Sequence, residues 1–302
     1  MNADSVLALL FEKAPRQKKK IIKFFEKYPD AQKQLNDFVT LYSKYIENVG
    51  LTWIEIIDSY LDMVNHMLFC RISFMKTGKY PTDDQANAIE NVYNNEVQMK
   101  KYMLGLALSQ FLWVQHFLTF EFFRQEIKKT PGCKNILEVG CGHGLFHLQM
   151  IDAFSQFTNY DIVDISKISI DITDQIINTF HPQLKDKINL HLCDINDFKT
   201  DVTYDFISIG EVLEHVADPA KILRSLKKLL TDDGVIFIST CANSPAIDHI
   251  YHYENICQIQ EMIKESGFDL IEEGVYPSED LSAEELEKRK VDISYVAMAK
   301  RI

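Results

Sequence analysis

Several features are missing from this 302-residue chain, and each absence excludes something. The six cysteines (Cys70, Cys133, Cys141, Cys193, Cys241, Cys257) are scattered, with no CxxC pair. That argues against a zinc ribbon or a disulfide framework and for free thiols in a reducing cytoplasm. The opening residues Met-Asn-Ala-Asp lack a basic segment followed by an apolar run and a small-residue cleavage site, so secretion is not expected. The most apolar stretch, Met103 to Phe123, is interrupted by Ser109, Gln110, Gln115, His116 and Glu121. It therefore falls short of the uncharged run of about 18 residues that a membrane span needs. Internal repeats, low-complexity tracts and metal-finger spacings are also absent.

Positive charge is scarce as well. Lys and Arg number 32 against 44 Asp and Glu, a net charge of −12. Residues 1–130 hold 17 basic and 15 acidic side chains (+2), and residues 131–302 hold 15 and 29 (−14). An acidic second half disfavours nucleic acid as a partner, because such affinity comes largely from neutralising phosphates. The basic cluster Arg16, Lys18, Lys19, Lys20, Lys23 reads as the solvated first turn of a helix.

What is present divides in two. A hydrophobic fraction of 46% with 25% charged residues is that of a globular protein with ample core. Residues 1–130 carry helical periods. Trp53, Ile57, Leu61, Val64, Leu68, Ile72 and Met75 step by three or four to a stop at Gly78 and Pro81. A second long helix runs from Asp83 or Gln98 to Lys129, its apolar part suited to burial between two domains or in a dimer. After Thr130-Pro131-Gly132 the texture alternates. Strand candidates are Asn135–Val139, Thr158–Val163, Ile188–Leu192, Asp205–Ile209, Val235–Ser239, Phe268–Glu272 and Ile293–Ala299. Apolar strands alternating with helices predict a doubly wound, mostly parallel sheet covered on both faces. The last strand follows an acidic excursion, Pro277 to Lys290, and is expected at an edge.

The chemistry concentrates at strand ends, where open α/β sheets bind their ligands. The first strand runs into Asn135-Ile-Leu-Glu-Val-Gly-Cys-Gly-His-Gly-Leu-Phe-His147. Alternate glycines let the backbone turn sharply and let a ligand lie against the main chain. A dinucleotide fingerprint would need glycine at 145, which is Leu. The second strand ends in Asp164-Ile165, with Asp164 24 residues beyond Gly140, where a carboxylate can accept both ribose hydroxyls. Asp161 is a rival inside the apolar alternation. The third strand ends in Cys193-Asp194-Ile195, and the fourth in Gly210-Glu211-Val212-Leu213-Glu214-His215.

These elements, in this order, resemble motifs I to IV of the class I S-adenosylmethionine-dependent methyltransferases, over residues 135 to about 300. The E-x-x-E-H segment resembles the small-molecule branch that includes the ubiquinone-biosynthesis O-methyltransferases. Asp232-Asp233-Gly234 is similar to that family's turn into strand five, where Gly234 is expected to adopt positive φ. The resemblance implies a Rossmann-like seven-stranded sheet in residues 131–302 that binds S-adenosylmethionine. Residues 1–130 would be a helical domain that caps the acceptor, or that pairs two copies as a homodimer. It further implies Glu138, Gly140, Cys141 and Gly142 at the methionine end of the cofactor and Asp164 and Ile165 at the ribose. Asp194 and Ile195 would take the adenine, and Gly210 and Glu211 would flank the sulfur.

The expected reaction passes a methyl group to a small-molecule acceptor through an oxygen nucleophile, which needs a base. His215 is the first candidate and His249 the second. Glu211, Glu214 and His215 stand at i, i+3 and i+4, so a helix starting there would project them from one face. Small-RNA 2′-O-methyltransferases resemble the chain here and hold a divalent metal with such a set plus a further histidine, a place His249 or His252 could fill. In metal-free relatives the same segment packs over the cofactor. The alternatives are thus a metal-assisted RNA 2′-O-methyltransferase using Glu211, Glu214, His215 and His249, and a cofactor-binding scaffold without turnover. Trp113 and His116, with polar edges, are expected on the acceptor's wall; Phe117 and Phe120 are expected in the core. His66, His143, His147, His181 and His191 read as surface, capping or packing residues.

Overall fold

The computed structural model describes residues 1–82, 92 and 95–302. Four helices open the chain: α1 (Ala3–Lys13), α2 (Pro15–Lys27), α3 (Pro29–Asn48) and α4 (Trp53–Thr77). The last begins with a capping box, in which Thr52 accepts from the Glu55 amide and Glu55 accepts from the Thr52 amide. It ends at Gly78, whose φ of 70° closes the helix in the left-handed region. The basic cluster lies exposed on α2 while Ile21, Phe24 and Phe25 turn inward, the solvated face expected of it.

The second long helix differs from expectation. A start at Asp83 lies outside the described residues. From there on the segment is two helices, α5 (Glu96–Ser109) and α6 (Val114–Glu126), bent by 76° at a break over residues 110–113. The amides of Leu112 and Trp113 both turn back to the Ser109 carbonyl, and the Ser109 hydroxyl donates to the Leu106 carbonyl and meets the His116 ring nitrogen at 2.8 Å, tying the two helices across the break. Among the described residues no single helix is long and apolar enough to cross a membrane. The apolar character is spent on contacts within the protein: Tyr102, Leu104, Leu108, Phe117, Phe120 and Phe123 are all buried.

The seven strands are β1 (Asn135–Val139), β2 (Asn159–Asp164), β3 (Ile188–Leu192), β4 (Tyr204–Gly210), β5 (Leu230–Ala242), β6 (Phe268–Pro277) and β7 (Ile293–Arg301). They form one sheet in the order β3-β2-β1-β4-β5-β7-β6, parallel except for β7, which runs antiparallel to both its neighbours. Helices α7 (Leu145–Ala153) and α8 (Lys167–Phe180) join α6 on one face, and α9 (Pro219–Leu229) and α10 (Ile256–Glu265) cover the other. The short α11 (Ala283–Lys288) lies in the acidic excursion.

The final strand is not the edge; β6 is. Residues Tyr295 to Ala299 are buried on both sides, the mark of an inner strand, whereas β6 carries exposed Asp269, Glu272 and Glu273, charges that protect an open edge from pairing. Gly234 also differs from expectation. It lies within β5 without positive φ, and its need is space. A Cβ there would stand 2.9 Å from the Tyr204 carbonyl oxygen and 2.9 Å from Thr231 Oγ1. Gly234→Ala is therefore expected to destabilise the protein by about 1–3 kcal/mol, read as a lower urea midpoint at unchanged m-value.

Candidate functional site

The strand order reverses between β1 and β4, and their carboxyl ends open on a cavity of about 540 Å³. Its floor is the turn after β1. Gly140, Gly142 and Gly144 all have positive φ (80°, 48° and 80°). At 140 a Cβ would lie 2.3 Å from the Val212 side chain, and at 144 it would lie 2.7 Å from Ile176, so side chains are excluded by contact as well as by conformation.

Asp164, at the tip of β2, holds this turn. Its Oδ2 accepts from the amides of Cys141 (3.0 Å) and Gly142 (3.4 Å) and from the Cys141 thiol, and Oδ1 accepts from the Ser166 amide at 2.7 Å. A carboxylate has about four acceptor sites, so Oδ1 retains capacity toward the cavity. Burial raises its pKa, and the three backbone amides oppose that rise. Asp194 accepts from the amide and side chain of Asn196. Ile165 and Ile195 line the same end of the cavity, and Ile165 is 40% exposed there. Asp161 is committed elsewhere, to His191, Asn189, Asn159 and Tyr204.

Glu138 sits beneath the turn, 2% exposed, and accepts the Tyr160 hydroxyl at 2.6 Å. Burial pushes its carboxyl up to about 8 against the pull of that bond. His143 and His147, on the far side of the turn, are buried, and desolvation pushes both down to about 3. These groups give a pH prediction for the ligand-free protein. Glu138 and Glu214 (raised by burial to about 7) are protonated in the folded chain over part of the range in which an unfolded carboxyl of 4.5 is ionised, so their linkage lowers stability as pH rises from 4.5 toward 8. The two histidines stay neutral in the folded chain while unfolded imidazoles of 6.5 bind protons, so theirs lowers stability as pH falls from 6.5 toward 3. The two pairs offset each other between 4.5 and 6.5. Urea midpoints should be highest in that window and fall on both sides; a midpoint that climbs from pH 6 to pH 8 refutes the assignment.

The segment after β4 is not the α-helix expected from its spacing. Glu211 adopts φ 52°, a left-handed conformation uncommon outside glycine, with its amide donating to the Ser239 carbonyl at 3.0 Å. A single 3-10 turn, Leu213–His215, follows. Glu211 opens to the cavity, and desolvation by the surrounding protein and then the Glu214 charge raise its pKa to about 8 against the pull of the Ser239 side chain. Glu214 is 1% exposed; its Oε2 accepts from Thr240 at 2.8 Å, while its main-chain carbonyl takes the amides of Ile250 and Tyr251. Those two bonds draw the loop after β5 across the site.

The loop delivers Asp248 and His249. His215 Nδ1 lies 3.0 Å from the Asp248 carbonyl and 3.4 Å from its Oδ2. A carbonyl can only accept, so Nδ1 carries the proton and Nε2 the lone pair. His249 is fixed likewise by the Ser244 carbonyl at 2.6 Å, and burial pushes it down to about 4, leaving it neutral. The two rings meet edge to face at 4.7 Å. Among the described residues, potential ligand atoms converge within 4.8 Å in two sets, His215–Asp248–His249 and Glu214–Cys241–His249; Glu211 belongs to neither.

Trp113, His116 and Tyr102 also line the cavity. The Trp113 indole donates to Tyr60 at 2.9 Å and its ring packs on His116, whose pKa burial lowers to about 4. Sequence reasoning missed Asp292, which precedes β7 and accepts from Gln115 at 3.3 Å, and Arg71 on α4. No local pattern marks these residues, because each reaches the cavity through tertiary packing.

Comparison with known proteins agrees with this architecture. The chain is 31% identical over 128 residues to the ubiquinone biosynthesis O-methyltransferase of Actinobacillus pleuropneumoniae serotype 7, covering 41% of this chain and 52% of that protein. It is 32% identical over 128 residues to the one from Haemophilus ducreyi, covering 41% and 51%. The chain thus spans about half the length of the curated relatives it matches. Among solved structures, magnesium protoporphyrin IX methyltransferase from Synechocystis PCC 6803, determined with bound SAM, superposes with a TM-score of 0.53 at 16% identity, covering 73% of this chain and 98% of that one; this likeness bears on the fold alone. Residues 114–273, more than half of the sequence and the part that builds the glycine turn, the tips of β2 to β4 and the loop with His249, match the model of the methyltransferase domain, and the chain belongs to that family.

Proposed function

We propose that the chain is an S-adenosylmethionine-dependent methyltransferase acting on a small-molecule acceptor through oxygen. The observation that carries this reading is a single cavity joining the bare glycine turn and the Asp164 and Asp194 carboxylates to an oriented imidazole. The cavity fits such a cofactor. Gln110 Oε1, Thr119 Oγ1 and Ser169 Oγ belong to side chains that line it, and these buried atoms have no hydrogen-bond partner among the described residues. Polar ends of a ligand would satisfy them. Glu138, Gly140, Cys141 and Gly142 would face the methionine end, Asp164 the ribose hydroxyls, Asp194 and Ile195 the adenine, and Gly210 and Glu211 the sulfur. When bound, the cofactor supplies a sulfonium methyl group.

The chain's own residues do the rest. The walls built by α4, α5 and α6 exclude water and hold the acceptor, so the nucleophile is held in place rather than met by diffusion. His215 Nε2 takes the acceptor's hydroxyl proton, and Asp248 holds the ring and its tautomer. The carboxylates around the chamber favour positive charge beside them. The free thiols, of which only Cys257 is exposed, fit a reducing compartment.

Calorimetry with S-adenosylhomocysteine and a methyl-release screen over phenols and alcohols test the reading. Binding followed by turnover supports it. Binding without turnover on any acceptor favours a cofactor-binding scaffold, and no binding removes the reading altogether.

A further inference from the structure

The loop after β5, residues 243–255, has a tied neck. Asn243 at its start takes φ 53°, a conformation that a residue with a side chain holds only where its surroundings fix it. Its amide donates to the Tyr253 carbonyl at 3.0 Å, its Nδ2 donates to the Glu254 carbonyl at 2.8 Å, and its Oδ1 meets His252 Nε2 at 3.0 Å. These bonds join the two ends of the loop, with Ser244, Asp248 and His249 between them. The very next carbonyl, that of Ser244, accepts from His249 Nδ1, and that of Asp248 accepts from His215 Nδ1.

The remaining polar group of Asn243 is held from the other half of the chain. Arg71 on α4 donates from one terminal nitrogen to the Asn243 carbonyl at 3.3 Å and from the other to the Arg289 carbonyl at 3.0 Å, in the segment between β6 and β7. A planar guanidinium bridges two acceptors in a fixed geometry, which an ammonium on a flexible stem does not. Ring packing backs the bridge. Phe74, one turn further along α4, meets the His252 ring edge on at 5.2 Å, and Tyr80 meets the same ring at 4.7 Å.

We propose that Arg71 is a positioning residue for the methyl-transfer site. From the amino-terminal helices it seats the neck at Asn243, and so keeps the Asp248 and Ser244 carbonyls where His215 and His249 donate to them. Each imidazole then carries its proton on Nδ1 and its lone pair on Nε2. The consequence for catalysis rests on the methyltransferase reading above; the tautomers themselves can be read without an acceptor.

Imidazole ¹⁵N spectra of the full chain saturated with S-adenosylhomocysteine test the proposal, with signals assigned by their loss in His215→Ala and His249→Ala. Wild type should show both rings as Nδ1–H tautomers. Arg71→Gln should lose that pattern and give a mixture of tautomers, with S-adenosylhomocysteine affinity at the wild-type value, and added methylguanidine should restore it. Arg71→Lys keeps the charge without the fork; it should fall between the two, and it carries the test if the glutamine variant does not fold. Asn48→Ala removes a different link between the halves, the bond from Asn48 Nδ2 to Thr179 Oγ1 at 3.2 Å, and should keep the wild-type tautomers. Unchanged tautomers in the Arg71 variants, the same change in Asn48→Ala, or no recovery with methylguanidine each overturn the proposal while the cofactor reading stands. If S-adenosylhomocysteine does not bind, the cofactor reading falls, and the same comparison on the ligand-free chain still decides the role of Arg71.

Discussion

Replacing His215 with alanine is expected to lower kcat by about two to four orders of magnitude, the usual contribution of a positioned base, with little change in S-adenosylhomocysteine affinity. The reason lies in the bond at Nδ1. With that nitrogen donating to the Asp248 carbonyl at 3.0 Å, Nε2 is the basic atom, and the residue lines the cavity rather than the glycine turn. Asp248 acts through the ring, so Asp248→Asn is expected to reduce kcat by a smaller factor than His215→Ala does. A His215 variant that loses cofactor affinity and keeps its turnover number would instead make the residue a strut for the loop after β5.

The second large effect belongs to Asp164→Ala, expected to weaken S-adenosylhomocysteine binding by about ten- to a hundredfold through loss of charge-assisted hydrogen bonds. This carboxylate also accepts from the Cys141 and Gly142 amides, so its removal frees the turn on which the ligand would rest. Two consequences can be separated by measurement. Asp164→Asn keeps acceptor oxygen for the turn but loses the charge, and should fall between wild type and alanine in calorimetric dissociation constant. If alanine and wild type bind equally, the ribose contact lies elsewhere, and Asp161, already saturated by His191, Asn189, Asn159 and Tyr204, would not replace it.

The strands were readable from sequence because parallel strands buried on both faces appear as short apolar runs, and each of the seven candidates lies on an observed strand to within a few residues. Their order was not equally readable. The place of β7 inside β6 depends on the hairpin through the acidic excursion, and only the continuous burial from Tyr295 to Ala299 distinguishes it from an edge. Local periodicity also misjudged two turns. Residues 110–113 keep helical spacing but bend, with the amides of Leu112 and Trp113 both turned to the Ser109 carbonyl and the Ser109 side chain held by His116 across the break. Glu211 to His215 keep an i, i+3, i+4 spacing, but Glu211 takes a left-handed conformation to pass over Ser239. The glycine turn, Asp164 and Asp194 were visible as motifs because they are contiguous with strand ends. The partnership of His215 with Asp248, and the arrival of Asp292 and Arg71, depend on packing between segments far apart in the chain.

One buried cluster runs from Val6, Leu35 and Tyr60 through Leu108 and Phe120 to Leu145, Leu148, Ile172 and Ile176, so the first helices and the helices flanking β2 share a single interior. The amino-terminal third is therefore no interchangeable cassette. Grafting it onto a relative would expose apolar surface on both pieces, because each half completes the other's interior.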